Sequence, residues 1–293
     1  MIESGKNNYV AGIVPVAGQP NNFEFEWHDC LTPIAQNYTA IERAVAECAY
    51  AGCKTIWLVC NDDVSPLVRY RLGDHVQDPV WLGRKGKHPS ELRRPIPIYY
   101  VPVSPKDRDK RDCLSWSIIC GALNAFRVSA TMSKWLIPSH YYVAFPYGVY
   151  DPSLLRQHRK DIRKGSFFLS HEGQTVREGK YLGFTFNSDD FVRYRRVLRT
   201  GTGKRVPGSD FDKKENLPIH ERWSARFFTL DKVFKSAKVE ESMVVELFWY
   251  YSLDSWDEYC YYLSSEHRKE ICRPSKLMMS FHEFNPVGED NEK

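Results

Sequence analysis

None of the eight cysteines stands in C-x-x-C spacing, which excludes zinc ribbons, zinc fingers and thioredoxin-like redox motifs. Cys30, Cys48, Cys53, Cys60, Cys113, Cys120, Cys260 and Cys272 mostly fall inside apolar patterns, as buried free thiols of a reducing compartment do. No apolar run reaches the roughly 18 residues that a membrane span needs. The polar start MIESGKNN shows no secretory signal, so a cytoplasmic location is expected. Charge of one sign is also scarce. The 41 Lys and Arg against 37 Asp and Glu leave a net charge of +4, which suits anionic small molecules and makes nucleic acid an unlikely partner. Repeats and low-complexity tracts are missing too, which excludes solenoids and extended disorder. What is plentiful is core material. Hydrophobic residues make up 42% of the chain, with 8 Trp, 17 Tyr and 16 Phe, enough for one large domain across residues 1–293.

The most informative stretch is Tyr9 to Asp63. The run YVAGIVPVAG reads as a strand that ends on Ala17-Gly18-Gln19, where small residues let the backbone approach a ligand. After the loop through His28 and Asp29, the spacing of Ile41, Ala44, Val45, Cys48 and Ala49 predicts a helix with one buried face, closed by Gly52. Thr55 to Cys60 is a continuous apolar run, as expected of a parallel strand covered on both faces, and it ends on Asn61-Asp62-Asp63. Such a unit places its loop at the carboxyl edge of a sheet, where open α/β folds bind ligands.

A third strand is predicted at 96–103, followed by a charged loop SPKDRDKRD and a helix from about Cys113 to Arg127. A fourth strand, HYYVAFPYGVY, leads to Asp151-Pro152, and SLLRQHRKDIRK reads as a polar-faced helix. Alternating strands and helices up to about residue 165 predict an α/β fold: a mostly parallel central sheet with helices on both faces. The rest, 166–293, suggests an appended β-rich portion. It comprises a turn at Glu172-Gly173-Gln174, a helix from Ser188, an irregular stretch at 201–221, a strand MVVELFWYYSLDS and a helix SWDEYCYYLSS.

These segments resemble the sugar-phosphate nucleotidyltransferases, which have a GT-A-like, Rossmann-related fold. The residues that carry the likeness are VPVAG at 14–18, LTPI at 31–34, IERAV at 41–45 and AGCKTIWLV at 51–59. Two weaker pieces join them. Tyr142-Val143-Ala144-Phe145 through Asp151 is similar to the central strand leading to a metal-binding Asp. LDSWDEY at 253–259 is similar to the element supplying a second metal ligand. The sequence departs from the family pattern at three places. Gln19-Pro20-Asn21-Asn22 lacks the second Gly and the basic residue, His28-Asp29-Cys30 stands where a Lys is usual, and Pro146-Tyr147-Gly148 follows the central strand where the Asp usually stands.

The resemblance implies a nucleotidyltransferase joining an NTP to a phosphorylated sugar or related small acceptor, with release of pyrophosphate. Asp151 and Asp254 are the expected Mg²⁺ ligands, since Mg²⁺ needs one or two carboxylates plus phosphate and water. Ala17, Gly18, Gln19, Asn61, Asp62, Lys110 and Arg111 are expected to bind the nucleotide, and His28, Asp29, Lys106 and Arg108 to act in catalysis. Each has a plainer reading: a turn glycine, a cap, a solvated charged loop or a turn-forming Asp before Pro. Two other functions stay open. One is a GT-A-like glycosyltransferase, for which Asp107-x-Asp109 and Asp210-x-Asp212 have the required spacing. The other is a nucleotide-binding scaffold that has lost its chemistry.

Overall fold

The computed structural model describes residues 9–18, 27–79, 95–200, 202, 226 and 228–274. Its centre is four parallel strands, β1 (Val10–Pro15), β4 (Thr55–Val59), β6 (Pro95–Val101) and β7 (His140–Val143), in the order β6-β4-β1-β7. Ile13 on β1 stands opposite both Trp57 and Val143. The chain steps outward from β1 through β4 to β6, then jumps back across β1 to β7. That reversal makes the gap between the carboxyl ends of β1 and β7 the topological switch point.

The same sheet continues past β7 with β10 (Phe184–Phe186) and β9 (Phe167–Ser170), both joined antiparallel, and then β11 (Met243–Glu246), parallel to β9. At the other edge β5 (His75–Gln77) pairs antiparallel with β6. Two short ribbons lie outside the sheet: β2 (Pro33–Ala35) with β3 (Tyr38–Thr39), and β8 (Gly148–Val149) with β12 (Tyr251–Ser252). The expected fold class is therefore present, and the antiparallel strands extend the main sheet rather than forming a separate one.

Helices cover both faces, and β1 shows why. Its neighbours Gly12 and Ile13 point to opposite sides. A Cβ on Gly12 would meet Cys48 Sγ of α1 (Ala40–Ala51) at 2.8 Å, while a Cβ on Gly121 of the long α4 (Leu114–Met132) would meet Ile13 Cγ2 at 2.8 Å. Among the described residues no helix is long and apolar enough to cross a membrane.

Helix α1 starts from a capping box, with Thr39 N and Oγ1 donating to Glu42 Oε2 at 2.8 and 2.9 Å, and ends at Gly52 with φ 84°. The expected apolar face is buried, but so are Glu42, Arg43 and Glu47. The helix is wedged between the sheet and α5 (Leu155–Lys164), so no side of it faces water. The charges are accordingly paired. Arg43 Nη1 meets Glu47 Oε2 at 2.9 Å with both side chains at 0% exposure, and Tyr142 OH donates to Glu47 Oε1 at 2.7 Å. Arg43 also donates to the Phe145 carbonyl, and its guanidinium lies 4.6 Å from the centre of the Tyr150 ring. Burial opposes the charge on Arg43, but Glu47 and its neighbours hold the guanidinium above its ordinary pKa.

Several elements differ from the sequence expectation. The charged stretch after β6 is a helix, α3 (Pro105–Arg111). Pro105 occupies its first turn, Asp107 sits near the start, and Arg108, Lys110 and Arg111 sit near the end, as the helix dipole favours. The connection after β4 holds a helix, α2 (Ser65–Leu72), before β5. HYYVAFPYGVY breaks at Pro146, which has no N–H to give a ladder, so that β8 leaves the sheet. MVVELFWYYSLDS likewise splits between β11 and β12. The helix α6 (Ser188–Thr200) includes Ser188 and is capped by Asn187, whose Oδ1 accepts from Asp189 N at 2.9 Å and Asp190 N at 3.0 Å. After α7 (Leu230–Phe234) and β12 comes α8 (Trp256–Ser264), capped by Ser255. Apart from Thr202, the 201–221 stretch lies outside the described residues.

Replacing Arg43 by Leu would leave Glu47 buried without its cation. We expect a loss of about 3–5 kcal/mol in chemical denaturation, against a smaller loss for Glu47→Gln. A cost below about 1 kcal/mol for Arg43→Leu would show that the pair does not anchor this region.

Candidate active site at the sheet's carboxyl edge

The loop leaving β1 is drawn inward. Val16 N and Ala17 N both donate to the Val59 carbonyl, at 2.9 and 2.8 Å, and the Ala17 carbonyl accepts from Ser117 Oγ of α4. Both backbone polar groups of Ala17 are thus engaged inside the protein, so its amide is not presented to a phosphate as the sequence suggested. Gly18 has φ 137°, and a Cβ there would meet Leu114 N at 2.7 Å and Cys113 C at 2.8 Å. Only glycine allows this approach to the start of α4. Gln19 lies outside the described residues.

His28 and Asp29 come back to the same edge. His28 Nδ1 accepts from Cys30 N at 3.3 Å and caps the short turn Asp29–Leu31. Burial lowers its pKa and the nearby Asp63 carboxylate opposes this, so the β1 loop and the end of β4 meet. Asp29 is 4% exposed, its Oδ2 has no partner, and burial pushes its pKa from 3.8 up to about 6. Its charge is also felt at Tyr147, beyond β7.

On the β4 and β6 side, Asn61 accepts from Ser65 N at 2.9 Å through its carbonyl, while its buried Oδ1 has no partner. Arg108 joins the two strand ends. Its Nη2 lies 2.8 Å from Asp62 Oδ2, and its Nε donates to the Val103 carbonyl at 3.1 Å. Arg111 pairs with Asp107 at 2.8 Å and stacks 4.7 Å from the centre of the Trp116 ring in the first turn of α4. Lys106 is exposed and Lys110 half-buried. The basic residues therefore share the expected edge, on a helix rather than a loop.

The two expected metal ligands are not brought together. Ser252 pairs with Gly148, and Leu253 N donates to the Tyr147 carbonyl at 2.7 Å, which puts Asp254 at the switch-point end of the ribbon. There Asp254 is exposed, accepts from Ser252 Oγ and acts on Tyr181 and Tyr250. Asp151 leaves the other end of the ribbon. It accepts from Ser153 N at 2.9 Å and Ser153 Oγ at 2.6 Å, and its charge acts on Tyr38 and Tyr50. It is a turn cap, the plainer reading of an Asp before Pro. Among the described residues no group of three or more His, Cys, Asp or Glu could hold a metal ion. Standing at opposite ends of the ribbon, Asp151 and Asp254 do not fit a shared Mg²⁺.

Residues that sequence reasoning passed over complete the edge. Tyr147 is fully buried with its OH unpartnered, packed edge-on against Tyr181 at 5.6 Å. Ser115 Oγ and Trp116 Nε1, in the first turn of α4, are also buried without partners. The sequence carried one signal for Tyr147: it stands immediately after the proline that ends the central strand. Buried polar atoms are nearly always bonded, so several unpaired ones at one sheet edge mark a place where a ligand or water completes them.

A mixed sheet with this strand order and this crevice defines a nucleotidyltransferase-like α/β fold. No protein-family model matches the chain, and no curated protein is significantly similar to it in sequence. Solved structures do share the fold. A putative glucose-1-phosphate thymidylyltransferase from Bacillus anthracis, in complex with a sucrose, superposes with a TM-score of 0.52 at 9% identity, over 86% of this chain and 93% of that one. A UDP-glucose pyrophosphorylase complexed with UDP-glucose gives 0.51 at 12% identity, over 89% and 99%. An apo UDP-glucose pyrophosphorylase gives 0.50 at 13%, over 90% and 100%. At these identities the likeness is one of fold.

The raised pKa of Asp29 means that the native state holds its proton more tightly than the unfolded chain. Stability should therefore fall as pH rises from about 4 through about 6. Asp29→Asn should be more stable than the parent above pH 6, on the order of 1–2 kcal/mol, and the gain should vanish near pH 4. Thermal unfolding across pH 4–8 checks it, and a pH-independent difference would contradict it.

Proposed function

We propose that the chain binds a nucleoside triphosphate and a phosphorylated sugar, or a related small acceptor, across the crevice between β1 and β7, and joins them with release of pyrophosphate. The observation that carries this reading is the convergence at one sheet edge of a cationic helix, α3, with several buried polar atoms that lack partners. In such a reaction an acceptor phosphate oxygen attacks the α-phosphorus, a new O–P bond forms, and the bond to the β-phosphate oxygen breaks. Catalysis is mostly alignment and charge stabilisation. Arg108 and Arg111 supply the positive charge. Each holds a carboxylate, Asp62 and Asp107, that an incoming phosphate would compete with. His28 has its pKa lowered by burial and, with Nδ1 accepting from Cys30 N, keeps a neutral Nε2–H donor at the β4 end of the crevice. Two neighbours in fold are named UDP-glucose pyrophosphorylase, which is consistent with this class of reaction.

A second reading, nucleotide binding without turnover, draws on two observations. The Ala17 amide is bonded to Val59, and Pro146-Tyr147-Gly148 follows the central strand where the resembled family carries its Asp. A glycosyltransferase reading is not favoured. Asp107 of its first Asp-x-Asp candidate lies on α3 and is bonded to Arg111; its second candidate, Asp210-x-Asp212, falls outside the described residues and bears on neither reading.

The test is pyrophosphate release from the protein incubated with Mg²⁺, each NTP and a panel of sugar phosphates. Release is expected for at least one pair, with Arg108→Ala lowering kcat/KM by about 10- to 100-fold. Binding of an NTP without release would favour the second reading. Neither release nor a thermal shift with any NTP would overturn both.

A further inference from the structure

A cavity of about 380 Å³ opens at the sheet edge opposite the crevice, a volume within the roughly 300–1,000 Å³ of small-molecule sites. Strand register fixes its place. β10 runs against β7, with Phe184 opposite Val143 and Phe186 opposite Tyr141, so Asn187 follows at the amino end of β7. Met243 N donates to the Ser166 carbonyl at 3.1 Å, which brings Ser166 and Ser242 to the same end. The first turns of α6 form one wall, and the segment 238–242 after α7 forms the other. Phe168 and Tyr194, both buried, make the apolar base. Tyr194 is held there edge-on by Phe186 at 6.1 Å and Phe234 at 4.8 Å.

The walls carry charges of both signs, and their internal pairing leaves two groups over. Asp190 accepts from Arg193 Nη2 and, at 3.2 Å, from Asn187 N. Lys238 Nζ lies 3.0 Å from Glu241 Oε2. Each of these pairs is neutral. Arg193 Nε, however, is buried without a partner. Asp189 sits in the first turn of α6, and its carboxylate has no hydrogen-bond partner among the described residues. Asp189 and Arg193 are four residues apart and share one face of the helix, so a spare anion and a spare cationic donor line the same wall.

The chemistry of the lining selects what completes it. A phosphate would accept from Arg193 and Lys238 but would meet the carboxylates of Asp189, Asp190 and Glu241. A polyamine would satisfy Asp189 and leave the Arg193 Nε proton unpaired. An uncharged polyol would leave Asp189 without a countercharge. A molecule with an ammonium and a carboxylate on one carbon answers both: it donates to Asp189 and accepts from Arg193 Nε–H, with Lys238 adding positive charge from the far wall. Hydrogen bonds with ionised partners are the strong ones.

We propose that this cavity binds a free α-amino acid, its ammonium on Asp189, its carboxylate on Arg193 and its side chain toward Phe168 and Tyr194. The site lies apart from the crevice and does not depend on the nucleotide reading.

Calorimetric titration of the full chain with each standard L-amino acid tests it, alongside inorganic phosphate and spermidine. At least one amino acid is expected to bind, and its methyl ester and N-acetyl derivatives to bind about 10- to 100-fold more weakly. Asp189→Asn should weaken the parent amino acid by a similar factor, with no further loss for the N-acetyl form. Arg193→Gln should do the same with respect to the methyl ester. Asp189 is exposed, so Asp189→Asn should keep a Tm close to the parent's, which separates a recognition effect from misfolding. Binding of no amino acid, tighter binding of phosphate or spermidine than of any amino acid, or binding that Asp189→Asn leaves unchanged would overturn the assignment.

Discussion

The buried ion pair of Arg43 and Glu47 is the constraint on which the crevice depends. Both residues sit on a helix with no solvent side, so their charges have only each other and the adjacent strands. Arg43 also reaches the Phe145 carbonyl, between β7 and β8, and the Tyr150 ring, just after β8. Glu47 takes the Tyr142 hydroxyl from within β7. One helix thus fixes both the last strand of the parallel core and the chain that leaves it. A buried pair of this kind adds little net stability compared with apolar packing, but it admits few alternative arrangements. Here it specifies where Tyr147 and Gly148 come to rest.

On the other side of the switch point the same purpose is met by close approach rather than charge. The β1 loop bonds back to Val59 and presses Gly18 against the first residues of α4. The crevice is bounded on one side by Val16 to Gly18, fixed at the exit of β1, and on the other by a clamped β7 exit. Polar groups that point into a rigid boundary cannot relax to pair with one another, which accounts for the unpaired atoms of Asp29, Asn61, Ser115, Trp116 and Tyr147 at this one edge.

Much of the fold was legible in the sequence because its signals were local. The strand at Val10–Pro15, the helix closed by Gly52 and the strand at Thr55–Val59 follow from apolar runs, helical spacing and a C-terminal glycine. The burial of Arg43 and Glu47 was not legible. They lie off the apolar stripe of α1, and only the tertiary arrangement covers that face. The helix Pro105–Arg111 was hidden because its composition is as polar as a loop, and its support comes from Pro105 in the first turn and the pairing of Asp107 with Arg111. The sheet edge holding Gly18, Asp29, Asn61, Asp62 and Arg108 was readable from strand ends. Asp151 and Asp254 were not separable by sequence, because their placement depends on the register of β8 with β12, sequence-distant strands of two residues each.

The central claim is that the ligand occupies the switch point between β1 and β7, framed by these two immobilised segments. A crystal structure of the protein soaked with an NTP and a sugar phosphate tests it most directly. The account predicts ligand density at the carboxyl ends of β1 and β7, with the phosphates toward Arg108 and Arg111. Density at the opposite edge of the sheet would contradict it.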